Sequence, residues 1–157
     1  MIPMPNSVAE FLFDQMPMSH RFYVRIDRSA FDLGSWSRVS GLSVGWAKLT
    51  HRSGEDNNEQ VFPGNISYPT IKLTRSACSD SATVQKWLAS TTRHRESLSG
   101  GIHLLDFTGL PVITWELKEF FPIGWSISDF DSGGSKPVTE TLELAHNGFL
   151  DDEGKVG

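Results

Sequence analysis

The sequence is short of the residues on which several classes of function depend. It holds one cysteine, Cys78, in 157 residues. No internal disulfide can form, and nothing demands an oxidising compartment. Positive charge is the minority sign, with 14 Lys+Arg against 19 Asp+Glu and a formal net charge of −5. That balance argues against nucleic-acid coating and against a polybasic membrane anchor. No run approaches the ~18 apolar residues of a transmembrane helix. No basic residue precedes Arg21, and Glu10 interrupts the apolar stretch around Val8 and Phe11, so a cleaved secretory signal is not expected. The expectation is a protein made soluble in the cytoplasm, reaching any exterior by another route. Metal-ligand spacing is missing too. None of His20, His51, His94, His103 and His146 lies four residues from another or beside a Cys-x-x-Cys, and they read as surface or strand-end polar residues.

What is present suits a folded domain. With 38% hydrophobic and 21% charged residues, the chain is neither disordered nor membrane-embedded, and its length favours one domain with a real core. Charge is uneven: residues 1–95 sum to +3 and residues 96–157 to −8. Such asymmetry is an electrostatic handle for meeting a partner, including a second copy.

All four methionines fall in the first 18 residues, beside Pro3, Pro5 and Pro17. Ser7 and Glu10 have capping-box spacing and Val8, Phe11 and Leu12 share a helical face, so a short helix and an arm both fit. An apolar arm outside the core needs a partner surface. The period then changes to two. Phe22, Val24 and Ile26 alternate with polar neighbours as a half-buried strand. A second extended stretch over 37–50 puts Val44 and Trp46 on one face. Residues 51–60 read as a polar loop too long for a tight hairpin, and Pro63-Gly64 as a turn. Ile71 and Leu73 mark the next strand. The spacing of Val84, Trp87, Leu88 and Thr91 predicts a helix over 81–92, capped by Asp80 or Ser81. After Gly100-Gly101, residues 102–107 and 112–121 read as a hairpin about Thr108-Gly109. Pro122 is expected to interrupt before a short strand over 123–128. Val138, Leu142 and Leu144 alternate with Thr139, Thr141 and Glu143 in a final strand, and a polar tail follows. The expected fold is mainly β: an antiparallel sandwich or barrel with one flanking helix, spanning 1–157 as an arm (1–18), a folded core (20–149) and an acidic tail (150–157).

Candidate chemistry is sparse. Gly41-Leu-Ser-Val-Gly matches the G-x-S-x-G elbow that lifts a nucleophilic serine, but the segment after it has no helical face and the chain lacks the required βαβ units. Arg93-His-Arg, with Lys86 and Arg75 nearby, forms a basic patch that suits either a solvated helix end or an acidic partner. Asn65-Ile-Ser matches a glycosylation acceptor by chance. Trp36, Trp46, Trp87, Trp115 and Trp125 are spread one per element, as core and interface packing would have them. The residues point to a surface rather than a reaction. No catalytic residue, cofactor or metal site is expected.

Several phrases together resemble the tail-tube family of contractile phage tails and bacterial contractile injection systems. They are Phe22-Tyr-Val-Arg-Ile-Asp, Val39-Ser-Gly-Leu-Ser-Val, Phe62-Pro-Gly leading to Tyr68-Pro-Thr-Ile-Lys-Leu-Thr-Arg, then Trp87. Leu104-Leu-Asp-Phe-Thr-Gly-Leu-Pro-Val, Phe121-Pro-Ile-Gly-Trp and Glu140-Thr-Leu-Glu-Leu-Ala-His-Asn-Gly complete the series. It covers about residues 20–149. The strand from Val112 to Phe121 is more acidic and apolar than the family phrase, and the Met/Pro-rich start is unusual.

The resemblance implies a small barrel assembled as hexameric rings that stack into a hollow tube inside a contractile sheath. Implied partners are further copies, the sheath, the baseplate or tube initiator, a cap or terminator, and the tape measure or cargo in the lumen, whether cargo or DNA. No cofactor, membrane anchor or specific nucleic-acid recognition is implied. The particle would assemble in a bacterial cytoplasm. Hexamer closure is heterologous, which the +3/−8 asymmetry suits. Expected contacts between rings and subunits are Phe11 and Leu12 of the arm, His51, Arg52, Glu55, Asp56 and Glu59 of the polar loop, and Asp151 and Asp152 of the tail. Expected lumen-lining residues are Thr70, Lys72, Thr74, Thr139, Thr141 and Glu143, since a conduit favours polar walls. Three alternatives stand beside the bulk tube: a specialised end or initiator ring, a small-molecule-binding β-barrel with an apolar pocket, and a serine hydrolase built on Ser43.

Overall fold

A computed structural model of the chain describes residues 21–52, 54 and 57–150. The arm 1–18, its capping-box pattern and the tail from 151 onward lie outside the described residues. The period-two stretches form strands: β1 (Arg21–Ile26), β2 (Ser35–Trp36), β3 (Arg38–Ser40), β4 (Gly45–Arg52), β5 (Glu59–Ser67) and β6 (Ile71–Ser76). Helix α1 (Asp80–Arg93) follows, then β7 (Leu98–Leu105), β8 (Pro111–Ile127) and β9 (Thr139–Ala145).

Seven strands pair in the order β2-β1-β7-β8-β9-β6-β3, every pair antiparallel. The outermost strands of that order, β2 and β3, are separated in the chain by Ser37 alone. The two edges of the sheet are therefore one piece of extended backbone, and the sheet is rolled into a barrel. Ser37 marks the seam: its backbone N–H donates to Thr74 O at 3.0 Å and its hydroxyl to the same oxygen at 2.9 Å. Closure joins the two ends of the strand order.

Alternation fills the interior. Val24 and Ile26 of β1, Ile71 and Leu73 of β6, Ile102 of β7, Leu117 and Phe120 of β8, and Leu142 and Leu144 of β9 are buried around Leu33 and Trp36. Helix α1 adds Val84 and Trp87, with the Trp87 and Phe120 rings 6.4 Å apart. Burying each of the large side chains contributes on the order of 1.5–3 kcal/mol. Because the barrel is filled by its own side chains, the small-molecule-binding reading loses its central cavity among the described residues. Gly100 makes close packing of β1 on β7 possible, since a Cβ there would lie 2.0 Å from Arg25 O.

One charged pair sits within this apolar interior. Arg75 and Glu140 face each other across β6 and β9, 4% and 0% exposed, with Nη2 donating to Oε1 at 3.1 Å. Arg75 Nη1 also donates to Leu33 O at 2.9 Å and Ser35 O at 3.1 Å, and the guanidinium lies 3.9 Å over the Trp36 ring. Arg75 thus belongs to the core and not to the basic patch near Arg93, because strand alternation carries the inward face Ile71-Leu73 on to position 75.

Other expectations are also corrected. Pro122 does not interrupt: β8 is one strand of 17 residues that pairs with β7 up to Phe120 and with β9 from Phe121. It turns a corner instead. Glu119 takes a φ of 45°, and the register shifts between Pro122 and Gly124. Proline's missing N–H is tolerated at such an irregularity. The segment after β9 holds the corner, with Asn147 N–H donating to Lys118 O at 2.9 Å and Lys118 N–H to Gly148 O at 2.8 Å. Pro63-Gly64 likewise lies inside β5 rather than in a turn. The cap of α1 is Ser79, while the Ser81 hydroxyl accepts from Cys78 N–H at 3.1 Å.

His146 belongs to the same corner. It is 8% exposed, its ring lies 5.3 Å from that of Tyr68 and 6.0 Å from that of Phe149, and its Nδ1 accepts from Gly148 N–H at 3.1 Å. Burial outweighs nearby backbone hydrogen bonds and pulls its pKa below the ordinary imidazole value.

Two outcomes follow. Arg75→Met strands a buried carboxylate and should cost about 3–5 kcal/mol by urea unfolding, while adding Glu140→Leu should restore much of that loss. For His146, the unfolded chain binds the proton more readily, so its stabilising share is present above about pH 6.5 and is lost as pH falls through the lower folded-state value. Thermal midpoints measured between pH 7.5 and 5 should therefore fall less steeply in His146→Gln than in the parent.

Candidate functional site

Three features of the surface stand apart from the core, and each arises from local sequence. The first is the β4–β5 ribbon, a two-stranded sheet separate from the barrel. Every residue of β4 is exposed, and so is all of β5 except half-buried Gly64. Trp46 pairs with Ile66, Lys48 with Pro63, Leu49 with Phe62 and Thr50 with Val61. Alternation puts Trp46, Ile66, Pro63 and Val61 on one face, and Leu49 and Phe62 on the other. Both faces are apolar yet bare, with Trp46 58% exposed and Val61 56% exposed. An isolated hairpin is marginally stable in water, and an apolar surface of this kind marks a contact site. A bulge opposite Ala47 bends the ribbon, where a Cβ on Gly64 would lie 2.8 Å from Ala47 O.

The ribbon absorbs both ends of the segment expected as a loop over 51–60. His51 pairs with Gln60 and Arg52 with Glu59 at its exposed far end. Strand pairing continues because these polar side chains sit comfortably on a surface ribbon, leaving residues 53–58 as the connection. Glu55 and Asp56 lie outside the described residues, as do Phe11, Leu12, Asp151 and Asp152. The sequence reading missed the apolar faces. Their signal was Trp46 and Leu49 before the polar segment and Val61, Phe62 and Ile66 after it, which the assignment of Pro63-Gly64 to a turn concealed.

The second feature is a polar wall. β6 and β9 are neighbours, so the outward residues expected at the lumen meet on one surface: Lys72 pairs with Glu143, Thr74 with Thr141 and Ser76 with Thr139. Lys72 Nζ lies 3.2 Å from Glu143 Oε1. Arg38 of β3 and Ser126 of β8 extend the wall on either side. Thr70 is exposed just before β6.

The third is a groove of about 590 Å³ between the end of α1 and the second half of β8, lined by residues that include Leu88, Thr92, Arg95, Phe121, Ile123 and Trp125. Phe121 and Ile123 are about half exposed. Arg93, His94 and Arg95 stand exposed beside it.

Chemistry finds less support. Ser43 is exposed and leads into β4 rather than a helix, so the strand-turn-helix elbow of a nucleophilic serine is not formed. Among the described residues, no three His, Cys, Asp or Glu side chains gather to hold a metal, and no helix is long and apolar enough to cross a membrane. His103 lies between Arg25 Nη1 at 3.4 Å and Thr114 Oγ1 at 2.8 Å, and its pKa is lowered first by burial and then by the Arg25 charge. Arg25 is itself held by Asp27 at 2.9 Å and Glu116 at 2.6 Å, which makes this cluster a strut across β1, β7 and β8.

The family model described as T4-like virus tail tube protein gp19 matches residues 18–150. No curated protein matches. Among solved structures, a chain of the anti-feeding prophage baseplate, reconstructed with six-fold symmetrisation, matches at 26% identity and a TM-score of 0.62. The match covers 85% of this chain and 93% of that one. A chain of the sheath-tube complex of the PVC extracellular contractile injection system, in the extended state, has a TM-score of 0.68 at 20% identity, covering 88% and 93%. A chain from the sheath/tube terminator of the same system has a TM-score of 0.65 at 21% identity, covering 81% and 89%.

Proposed function

The chain belongs to the T4-like virus tail tube protein gp19 family, and from that premise we propose that it is an inner-tube subunit of a contractile injection system, closing into hexameric rings that stack around a conducting lumen. The observation that carries this reading is the ribbon. Two apolar faces on a solitary hairpin need two covers, and the barrel supplies neither. Stacked rings supply both, one face meeting a neighbour within the ring and the other a copy beyond it. Heterologous contacts of this kind propagate as long as copies are added.

Six-fold closure draws support from the symmetrised baseplate that contains a similar chain. Partnership with a sheath and a terminator draws on the two PVC assemblies. These neighbours include both tube and end positions, so bulk tube is the first reading and an end ring the second. The role is structural, its output a surface and a channel rather than a turnover. The uneven charge of the chain fits ring closure between unlike faces, a contact that salt would weaken.

The polar wall of β6 and β9 suits the lumen. Lys72 and Glu143 neutralise each other and the threonines offer no apolar hold to passing cargo. The arm residues Phe11 and Leu12 and the tail residues Asp151 and Asp152 are assigned to contacts between copies.

Electron microscopy of the purified chain should show rings or tubes of uniform diameter. The pair Trp46→Ser and Phe62→Ser, one on each ribbon face, should leave a folded monomer with an unchanged thermal midpoint and no tubes. A monomer that persists in the parent at high concentration, or normal tubes from the variant, contradicts the reading. In tubes made with Cys78→Ser, a cysteine at Thr74 or Thr141 should resist a bulky maleimide that labels the free subunit. Equal labelling in both states removes the wall from the lumen.

A further inference from the structure

The groove between α1 and β8 is an apolar slot, and the tube reading above leaves it without an occupant. Leu88, Phe121, Ile123 and Trp125 line it, Arg95 and Glu96 add one charge of each sign, and Arg93 and His94 stand exposed beside it. The chain contains a segment of matching chemistry. Residues 1–18 include Val8, Phe11, Leu12 and Phe13 as well as all four methionines, and their charged side chains are Glu10 and Asp14. Apolar side chains on that segment match the apolar lining, and its two carboxylates suit Arg93 and Arg95, which outnumber Glu96 there.

Geometry decides which copy's segment fits. Arg21 pairs with Leu105 at one end of β7, whereas Ser97, at the groove, precedes Leu98 at the other end. The strand between them is ~24 Å long at ~3.4 Å per residue. Arg21, which the segment precedes, therefore stands at the end opposite its own groove. In copies stacked head to tail along that strand direction, Arg21 faces the groove end of the next copy. The twenty residues before Arg21 could reach either groove, since they span up to ~66 Å when extended. In that stacking the neighbour's groove stands on the side of the barrel where Arg21 lies.

We propose that the groove receives the N-terminal segment, residues 2–18, of a copy in the adjacent ring. The proposal rests on the tube reading and adds to it a polarity. Each ring is fastened to the next by six such segments running one way, so growth from one end leaves six open grooves or six free segments as the site of addition.

Crosslinking in assembled tubes tests this. Chains carrying Cys78→Ser with either Phe11→Cys or Thr92→Cys, distinguished by a mass tag, are mixed, polymerised and mildly oxidised. The expected result is a disulfide-linked dimer of unlike chains, absent when Lys136→Cys, in the exposed β8–β9 loop, replaces Thr92→Cys. Ile123→Asp in the Thr92→Cys chain should reduce that dimer at least tenfold. Tubes without the unlike dimer overturn the docking and leave the tube reading standing. So does a doubly substituted chain that closes on itself as a monomer, which would place the segment in its own groove. Absence of tubes from the Cys78→Ser parent, seen by microscopy before any oxidation, overturns the tube reading and the docking with it.

Discussion

Closure of the barrel depends on one side chain. Arg75 reaches from β6 to Glu140 on β9 and to the carbonyls of Leu33 and Ser35, and its guanidinium lies over the Trp36 ring. Leu33, Ser35 and Trp36 belong to the segment that leads into Ser37, where the sheet meets itself. Burying a guanidinium is costly unless its charge and donors are met. Here Glu140 meets the charge and the seam carbonyls of Leu33 and Ser35 accept from Nη1, so opening the seam leaves a buried donor unmet. A purely apolar contact would fill the same volume without specifying which backbone carbonyls must converge there.

The interior of the closed barrel is filled by its own side chains. The surfaces free for association include one part that projects and one that is grooved. The ribbon projects because β4 and β5 pair with each other and leave the barrel sheet, with a bulge at Gly64 giving it a bend. The groove exists because β8 turns its corner at Glu119 and carries Phe121, Ile123 and Trp125 past the end of α1. Asn147 and Gly148 brace that corner, and buried His146 packs beside them. The phrase from Glu140 to Gly148, one of those that carry the family resemblance, thus contains both the partner of Arg75 and the brace of the corner. Its residues shape the barrel, and the assembly surfaces follow from that shape.

Much of this was legible in the sequence, for physical reasons. β1, β6 and β9 alternate cleanly because one face is core and the other is solvent, and α1 shows its face through Val84 and Trp87. Which residues of β6 and β9 turn away from the core was legible too, since Thr and Lys alternate there with Ile and Leu. That β6 and β9 are adjacent was not legible, because pairing between distant strands leaves no local trace. Arg75 looked like surface charge because its partner stands 65 residues away. Pro63 and Pro122 looked like breaks, although proline within a strand is tolerated at bulges and corners. The ribbon's apolar faces escaped notice for a related reason. With both faces exposed in the subunit, apolar and polar residues need not alternate, and the pattern that reveals a half-buried strand does not arise.

The ribbon is left uncovered by its own subunit and, in the proposed tube, is covered by neighbouring copies. Amide hydrogen exchange, compared between free subunits and assembled tubes, tests that directly. Residues 45–52 and 59–67 should exchange far faster than β7 in the free subunit and become protected in tubes, with β7 slow in both states. A ribbon already as protected as β7 in the free subunit, or one that stays fast in tubes, would contradict it.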